Sequence, residues 1–414
     1  MARSAAWSLF SDLSIPQRRV LWAAFLGWTL DGMDAMLYAF ALPAIAREFQ
    51  LSGAASGGLA SITLLSSAVG GVLFGWLADR LGRARALTLS VLLYAVCTAG
   101  AATAHSLPVL VIWRLLLGVG LGGEWAAGAV LVAESVPADR RGQAIGWVQA
   151  GWAVGYALAA ILSTWILPRW GFRALFWVGA SPALLAVWIR ARVNEPAAWK
   201  SVQPRLATAD RPRLAALLRP PLCALVAWAT LLASVLMCAY WGLFTWIPSY
   251  LSAPTDRGGA SLSSLRALSF LLPMQAGAFV GYVSFGVLAD RWGRRPVFAA
   301  YVLMAALAVP LFVAASRQPI GLLVVAPLVG FAGHGYFSVF GALLAELFPA
   351  SIRGTAQGLC YNAGRAISAF APMAVGALAD RWGLGATLSV LSGLYALGAL
   401  LVWALPETRG TELT

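Results

Sequence analysis

Apolar residues run along this 414-residue chain in long blocks separated by short polar breaks. Twelve blocks can be followed, near 20–46, 55–78, 86–104, 108–133, 142–166, 172–190, 220–251, 266–288, 296–315, 319–345, 354–378 and 384–405. A helix needs about 20 residues to cross a bilayer core, and the blocks match that length. They lack the apolar/polar alternation of barrel strands, and lipid cannot satisfy an open backbone. The pattern therefore predicts an all-α membrane protein with twelve transmembrane helices. The expected division is a six-helix half (1–190), a polar linker (191–219) and a second six-helix half (220–414). The linker holds Arg192, Lys200, Arg205, Arg211, Arg213 and Arg219 among three prolines.

The polar breaks support two homologous halves. Gly75-Trp-Leu-Ala-Asp79-Arg80-Leu-Gly82-Arg83 returns 211 residues later as Gly286-Val-Leu-Ala-Asp290-Arg291-Trp-Gly293-Arg294. A second signature, Glu134-x-x-Pro137-x-x-x-Arg141-Gly142, returns 212 residues later as Glu346-x-x-Pro349-x-x-x-Arg353-Gly354. Two signatures in one order and nearly one register point to duplication. Gly82 and Gly293 permit tight turns, and Asp79, Arg80, Arg83, Arg141 and their counterparts Asp290, Arg291, Arg294, Arg353 make a candidate gating set, a charge latch between moving helices.

Composition fits a bilayer: 60% of residues are hydrophobic and 11% charged, against about 25% charged in soluble domains. The net charge of +13 would suit nucleic acid in a soluble protein, but these charges sit in short loops and set membrane orientation instead. With the amino terminus inside, 20 of the 29 Lys and Arg residues face the cytoplasm and 7 face outward, so both termini are expected to be cytoplasmic. Cys97, Cys223, Cys238 and Cys360 are scattered in apolar blocks as small buried hydrophobes. With two histidines and no metal-spaced cluster, P-loop or nucleotide fingerprint, neither an enzyme nor a metal or cofactor site is expected. No cleavable signal peptide is visible.

Twelve helices in two halves, with G-x-x-x-D-R-x-G-R after helices two and eight, resemble the major facilitator superfamily. Ala84 stands where that family usually has a basic residue, with Arg85 beside it. Asp31-Gly-Met-Asp34 resembles the D-G-x-D of proton-coupled aromatic-acid carriers, whereas Gly120-x-Gly122-Gly123-Glu124-Trp125 is more similar to the metabolite and sialate proton symporters. The resemblance implies alternating access, with helices one, four, seven and ten lining a cavity and three, six, nine and twelve peripheral.

Charges at membrane depth cost about 2.5–3.5 kcal/mol each on insertion scales and mark bundle interiors. Here they are Asp31, Asp34, Arg114, Glu124, His334 and Arg365. Asp31 and Asp34, three apart, share a helix face with Trp28 and Tyr38. Two carboxylates close together disfavour double ionisation, which suits a proton carrier. Glu124 is a second proton candidate, with structural pairing as its alternative. Arg114 matches the arginine of the family's helix-four motif and is given a coupling role. Arg365 falls in one half only, opposite Ala153 in the repeat register, and is the candidate carboxylate anchor; an internal salt bridge is the alternative. Tyr361, Asn362 and Ser368 share its face. Tyr38, Trp152, Tyr156, Tyr240, Trp241, Gln275 and His334 complete the candidate binding set, with Gln149, Phe244, Tyr336 and Phe337 on other lining faces. His334 is either a proton relay or a packing residue.

These residues favour a proton-coupled symporter importing a small organic anion. A superfamily efflux carrier and a transporter-like sensor remain alternatives. The expected partners are the organic anion, protons and the bilayer, without nucleic acid. The expected state is a monomer in a bacterial inner membrane.

Overall fold

The computed structural model describes residues 13–136, 141–192, 217, 219–220, 222–348 and 353–408. Most of the predicted linker lies outside the described residues, as do the side chains of Asp79, Glu134, Arg141, Asp290 and Arg353. The described chain is helical, without strands, and the helices fall where the apolar blocks predict them. The first half has Ile15–Glu48, Gly53–Leu81, Arg83–Ala102, Leu107–Ser135 and Arg141–Gly179, the last broken at Gly171 (φ 71°) into the fifth span and the start of the sixth, which continues as Pro182–Arg192.

The spans of the second half are more often interrupted. The seventh is Leu222–Phe244 followed by Ile247–Ser252; the eighth and ninth are Ser264–Trp292 and Arg294–Ala315. The tenth breaks at Tyr336, between Pro319–Gly335 and Phe337–Glu346. The eleventh breaks between Arg353–Ser368 and Ala371–Trp382, and the twelfth between Leu384–Val390 and Ser392–Leu401.

Local chemistry sets the ends. Ser52 and Ser263 accept the Ala55 and Arg266 N–H groups at 3.2 and 3.5 Å, capping spans two and eight. Ser14 and Gln17 form a capping box at the first helix. Gly82 (φ 112°) and Gly293 (φ 100°) turn the chain between spans two and three and between eight and nine, in a backbone region that disfavours side chains.

The duplication is visible in the packing. Apolar attraction gives helices little reason to associate in lipid, so close contact through small residues carries much of the work. A Cβ on Gly118 of span four would meet the Thr63 carbonyl of span two; one on Gly330 of span ten would meet the Met274 carbonyl of span eight. Gly70 on Val119 and Gly281 on Phe331 repeat the arrangement. Each pair keeps the repeat register of the sequence signatures.

Spans one, five, eight and others from the two halves meet around a central cavity. Span two of the first half lies against span eleven of the second: Gly57 fits beneath the Pro372 carbonyl and Gly376 beneath that of Gly53. Span five lies against span eight, where Trp147 meets Phe279 edge-on at 5.9 Å between ring centroids.

Candidate functional site

The cavity takes its walls from both halves. The first contributes Trp28, Asp31 and Tyr38 (span one), Thr63 and Ser67 (two), Arg114 (four), and Gln149 and Trp152 (five). The second contributes Tyr240 and Trp241 (seven), Tyr282 (eight), Phe337 (ten), and Tyr361 and Arg365 (eleven). Among the described residues, spans three, six, nine and twelve add nothing to the wall, so the peripheral set expected from the resemblance is the peripheral set here. Spans two, five, eight and eleven join the lining.

Both membrane-depth arginines reach this wall. Arg365 is 7% exposed; its Nη2 lies 3.5 Å from the Tyr361 hydroxyl, and its guanidinium carbon 5.1 Å from that ring's centroid. Arg114 is 3% exposed and stands 3.9 Å over the Tyr38 ring. Cation–π contact holds each group in place without consuming its N–H donors. The internal salt bridge weighed for Arg365 is not formed among the described residues, although Asp31 lies within its electrostatic reach.

The two aspartates of span one diverge. Asp31 faces the cavity. Asp34 turns toward span three, where its Oδ1 accepts the Thr98 hydroxyl at 2.6 Å and its Oδ2 has no partner among the described residues. Three residues on a helix leave side chains about 60° apart, enough here to put one on the wall and one behind it, so the shared face expected of the pair is not a shared environment. Glu124 is also off the wall. It is 2% exposed, packs on span one where residue 27 is glycine, and lies within electrostatic reach of Asp31. Tyr94, wholly buried, lies within reach of all three carboxylates. The candidate proton carriers thus form a nest between spans one, three and four, with Asp31 as its member on the cavity.

Other predicted site residues separate in the same way. Tyr38, Trp152, Tyr240, Trp241 and Tyr361 line the cavity. Asn362 does not: it donates to the Gly358 carbonyl at 3.0 Å and faces Gly71 in the contact between spans eleven and two. Tyr156 donates to the Phe244 carbonyl at 3.4 Å, tying span five to span seven. His334 sits behind the wall with its ring 4.0 Å from Phe244 and 5.2 Å from Tyr240, centroid to centroid. Its Nδ1 is 3.2 Å from the Gly330 carbonyl; a carbonyl only accepts, so Nδ1 carries the proton. Gln275 is buried off the wall, with neither amide atom paired among the described residues. Gln149, Tyr282, Phe337, Thr63 and Ser67 are wall residues outside the candidate binding set. Thr63 and Ser67 stand among other hydroxyl residues of span two, Ser61 and Ser66, and nothing in the sequence singles them out.

The repeated loops show contacts within each half. Arg80 stands 4.1 Å over the Trp76 ring, Arg291 is 5.8 Å from that of Trp292, and Arg83 donates to the Ala78 carbonyl at 2.8 Å. Arg294 pairs with Glu346 at 3.2 Å, and Glu346 also accepts the Thr408 hydroxyl. Glu407 accepts the Arg294 and Arg295 N–H groups at 2.8 and 3.1 Å, capping span nine where Gly293 has no side chain to do so. A contact between the halves occurs at a third copy of the sequence, Gly376-Ala-Leu-Ala-Asp380-Arg381-Trp382-Gly383, on the opposite face of the bundle. There Asp380 accepts the Gly53 N–H, and Gly383 (φ 80°) makes the turn.

The sequence profile described as Major Facilitator Superfamily matches residues 24–284 and 259–413. The chain belongs to this superfamily. Membership makes it an integral membrane transporter and not an enzyme. Within the superfamily it is 34% identical over 405 residues to a protein of Cupriavidus pinatubonensis named as a probable 4-methylmuconolactone transporter, covering 96% of this chain and 92% of that one. It is 34% identical over 378 residues to a cis,cis-muconate transport protein of Acinetobacter baylyi, covering 90% of each. The crystal structure of a D-xylose-proton symporter superposes with a TM-score of 0.73 at 20% identity, covering 95% of this chain and 99% of that one, and shares the fold.

Proposed function

We propose that this transporter imports a small organic carboxylate together with protons by alternating access, as a monomer in a bacterial inner membrane with both termini cytoplasmic. Arg365 carries the reading. A buried, permanently charged guanidinium on the cavity wall, whose one side-chain hydrogen bond among the described residues is a long one to a tyrosine, is suited to an anion arriving from solution. The muconate carrier named above supports a carboxylate, and the count of basic residues supports the orientation. An inside-negative potential opposes anion entry by about 2.3 kcal/mol per charge per 100 mV, so import calls for a co-transported cation. Asp31 on the wall, with Asp34 and Glu124 behind it, offers carboxylates to take up protons.

The test is binding to purified protein. Muconate, nicotinate and gentisate, the acids for which relatives are named, are compared with their neutral amides in the parent and in Arg365→Ala. At least one acid should bind the parent far better than its amide, and Arg365→Ala should lose about 100-fold of that affinity, the range of a bidentate charged contact. Equal binding of acid and amide throughout the panel would remove Arg365 as an anchor.

A further inference from the structure

We infer that Arg114 forms a second anion subsite in the same cavity, and that the carried ligand is a dicarboxylate with one carboxylate on Arg365 and the other on Arg114. The inference rests on the reading of Arg365 given above and adds the second end of the ligand.

Arg114 is 3% exposed yet lies on the cavity wall. Its guanidinium is held over the Tyr38 ring, but among the described residues it makes no side-chain hydrogen bond and no ion pair, and its Nε is buried without a partner. Asp34 is the carboxylate that acts on it electrostatically. Asp34, however, is off the wall and spends one oxygen on Thr98 at 2.6 Å. A buried guanidinium with idle donors is expensive, and its remaining open side is the cavity. Arg365 is in the same position: stacked on a tyrosine, it makes a single side-chain hydrogen bond among the described residues, at 3.5 Å. The two arginines come from different halves, so a ligand with an anion at each end would connect the parts that must rearrange during transport.

The charges on the wall agree with this. Among the described residues, the acid and bases lining the cavity are Asp31, Arg114 and Arg365. With Asp31 ionised their sum is one positive charge, which a monoanion cancels. With Asp31 protonated the sum is two, which a dianion cancels. A dicarboxylate therefore leaves a neutral cavity when Asp31 carries a proton, linking ligand charge to proton uptake. The ligand body would lie along Trp152, Tyr240 and Trp241, which favours an apolar chain or ring between the carboxylates.

The experiment measures affinity of purified parent protein for linear α,ω-dicarboxylates of increasing length, each beside its mono-methyl ester and its diamide. At the length that fits, the diacid should bind at least about tenfold more tightly than its mono-ester, as expected for one added charge-assisted hydrogen bond. In Arg114→Gln that preference should disappear while mono-ester binding persists, which also shows that the variant is folded. Arg365→Gln should weaken the mono-ester and the diacid alike. Equal binding of diacid and mono-ester in the parent overturns the second subsite and leaves the carboxylate reading standing; this arm needs no variant. Loss of both ligands in a folded Arg114→Gln protein also overturns it, assigning Arg114 to positioning. If diacid, mono-ester and diamide all bind alike, the carboxylate reading and the second subsite fail together.

Discussion

The Asp380 carboxylate of span eleven accepts the Gly53 N–H of span two through both oxygens, at 3.0 and 3.2 Å. One half of the transporter thereby caps a helix that belongs to the other. The first N–H groups of a helix have no intrahelical partner, and the helix dipole favours an anion there. The fit is close: a Cβ on Gly53 would meet both Asp380 and the Gly376 carbonyl.

This contact should hold the halves together on the face away from the termini. Loss of a cap costs about 1 kcal/mol, or roughly fivefold in a two-state equilibrium. Asp380→Ala should therefore raise the population open on that face by about that factor. Spin-label distances across the tips of spans two and eleven measure it. Gly57→Val, which places a side chain against the Pro372 carbonyl, should have the same direction and a larger effect. An unchanged distance distribution in both variants would show that the contact does not govern the equilibrium.

The three acids of the nest should be separable by where they face. Asp34→Asn and Glu124→Gln should abolish accumulation driven by a proton gradient while sparing exchange of labelled for unlabelled substrate, because neither residue lines the cavity. Asp31→Asn should abolish accumulation and also alter substrate affinity, since it shares the wall with Arg365. Counterflow and gradient-driven uptake, measured on the same vesicles, read the two effects. Full accumulation by all three variants would place coupling elsewhere.

Gly27 provides a less obvious handle on the same nest. A methyl at this position would meet Glu124 Oε1 inside ordinary contact distance, so Gly27→Ala must displace the carboxylate. It should reproduce the Glu124→Gln phenotype although it removes no ionisable group. Parent-like gradient-driven uptake in Gly27→Ala would show that the position of Glu124 does not matter.

Much of this was legible in the sequence, for specific reasons. Apolar blocks of membrane length leave the chain only helices, and the register of two loop signatures carries through to Gly118 on Thr63 and Gly330 on Met274. Arginine at membrane depth is costly enough to mark a wall, and Arg114 and Arg365 are both there. Rotation of a side chain about its helix was not legible. The divergence of Asp31 and Asp34 depends on Thr98, which lies on another helix, and Asn362 turns to Gly71 because a glycine opens room for it. Thr63 and Ser67 carry no charge and bond carbonyls of their own helix, so they read as ordinary helix hydroxyls. Asp380 was missed although its sequence repeats Gly-x-Leu-Ala-Asp-Arg-x-Gly, because that copy stands outside the register relating the halves.

On the face away from the termini, at the end of span one, Glu48 and Arg173 pair at 2.5 Å, and the hydrogen bond from Arg173 holds the Glu48 carboxyl below the usual carboxylate range. A lowered carboxyl contributes stability above its unfolded pKa and loses it as pH falls through the folded value. Both side chains are partly exposed, so the contribution should be well under about 1 kcal/mol and weaken with salt. Glu48→Gln should lower the melting temperature slightly at neutral pH and by less in acid. An equal deficit at both would assign the effect to packing.

Coupling of carboxylate movement to proton movement is tested most directly in sealed proteoliposomes with an interior pH indicator, loaded with the tightest-binding acid of the panel outside. With no imposed gradient, adding the acid should acidify the interior as protons enter with it. With an inward proton gradient the labelled acid should accumulate above its external concentration, and Arg365→Ala should do neither. Uptake that merely equilibrates, with the interior pH unmoved, would contradict proton coupling; binding with no flux at all would contradict transport of that acid.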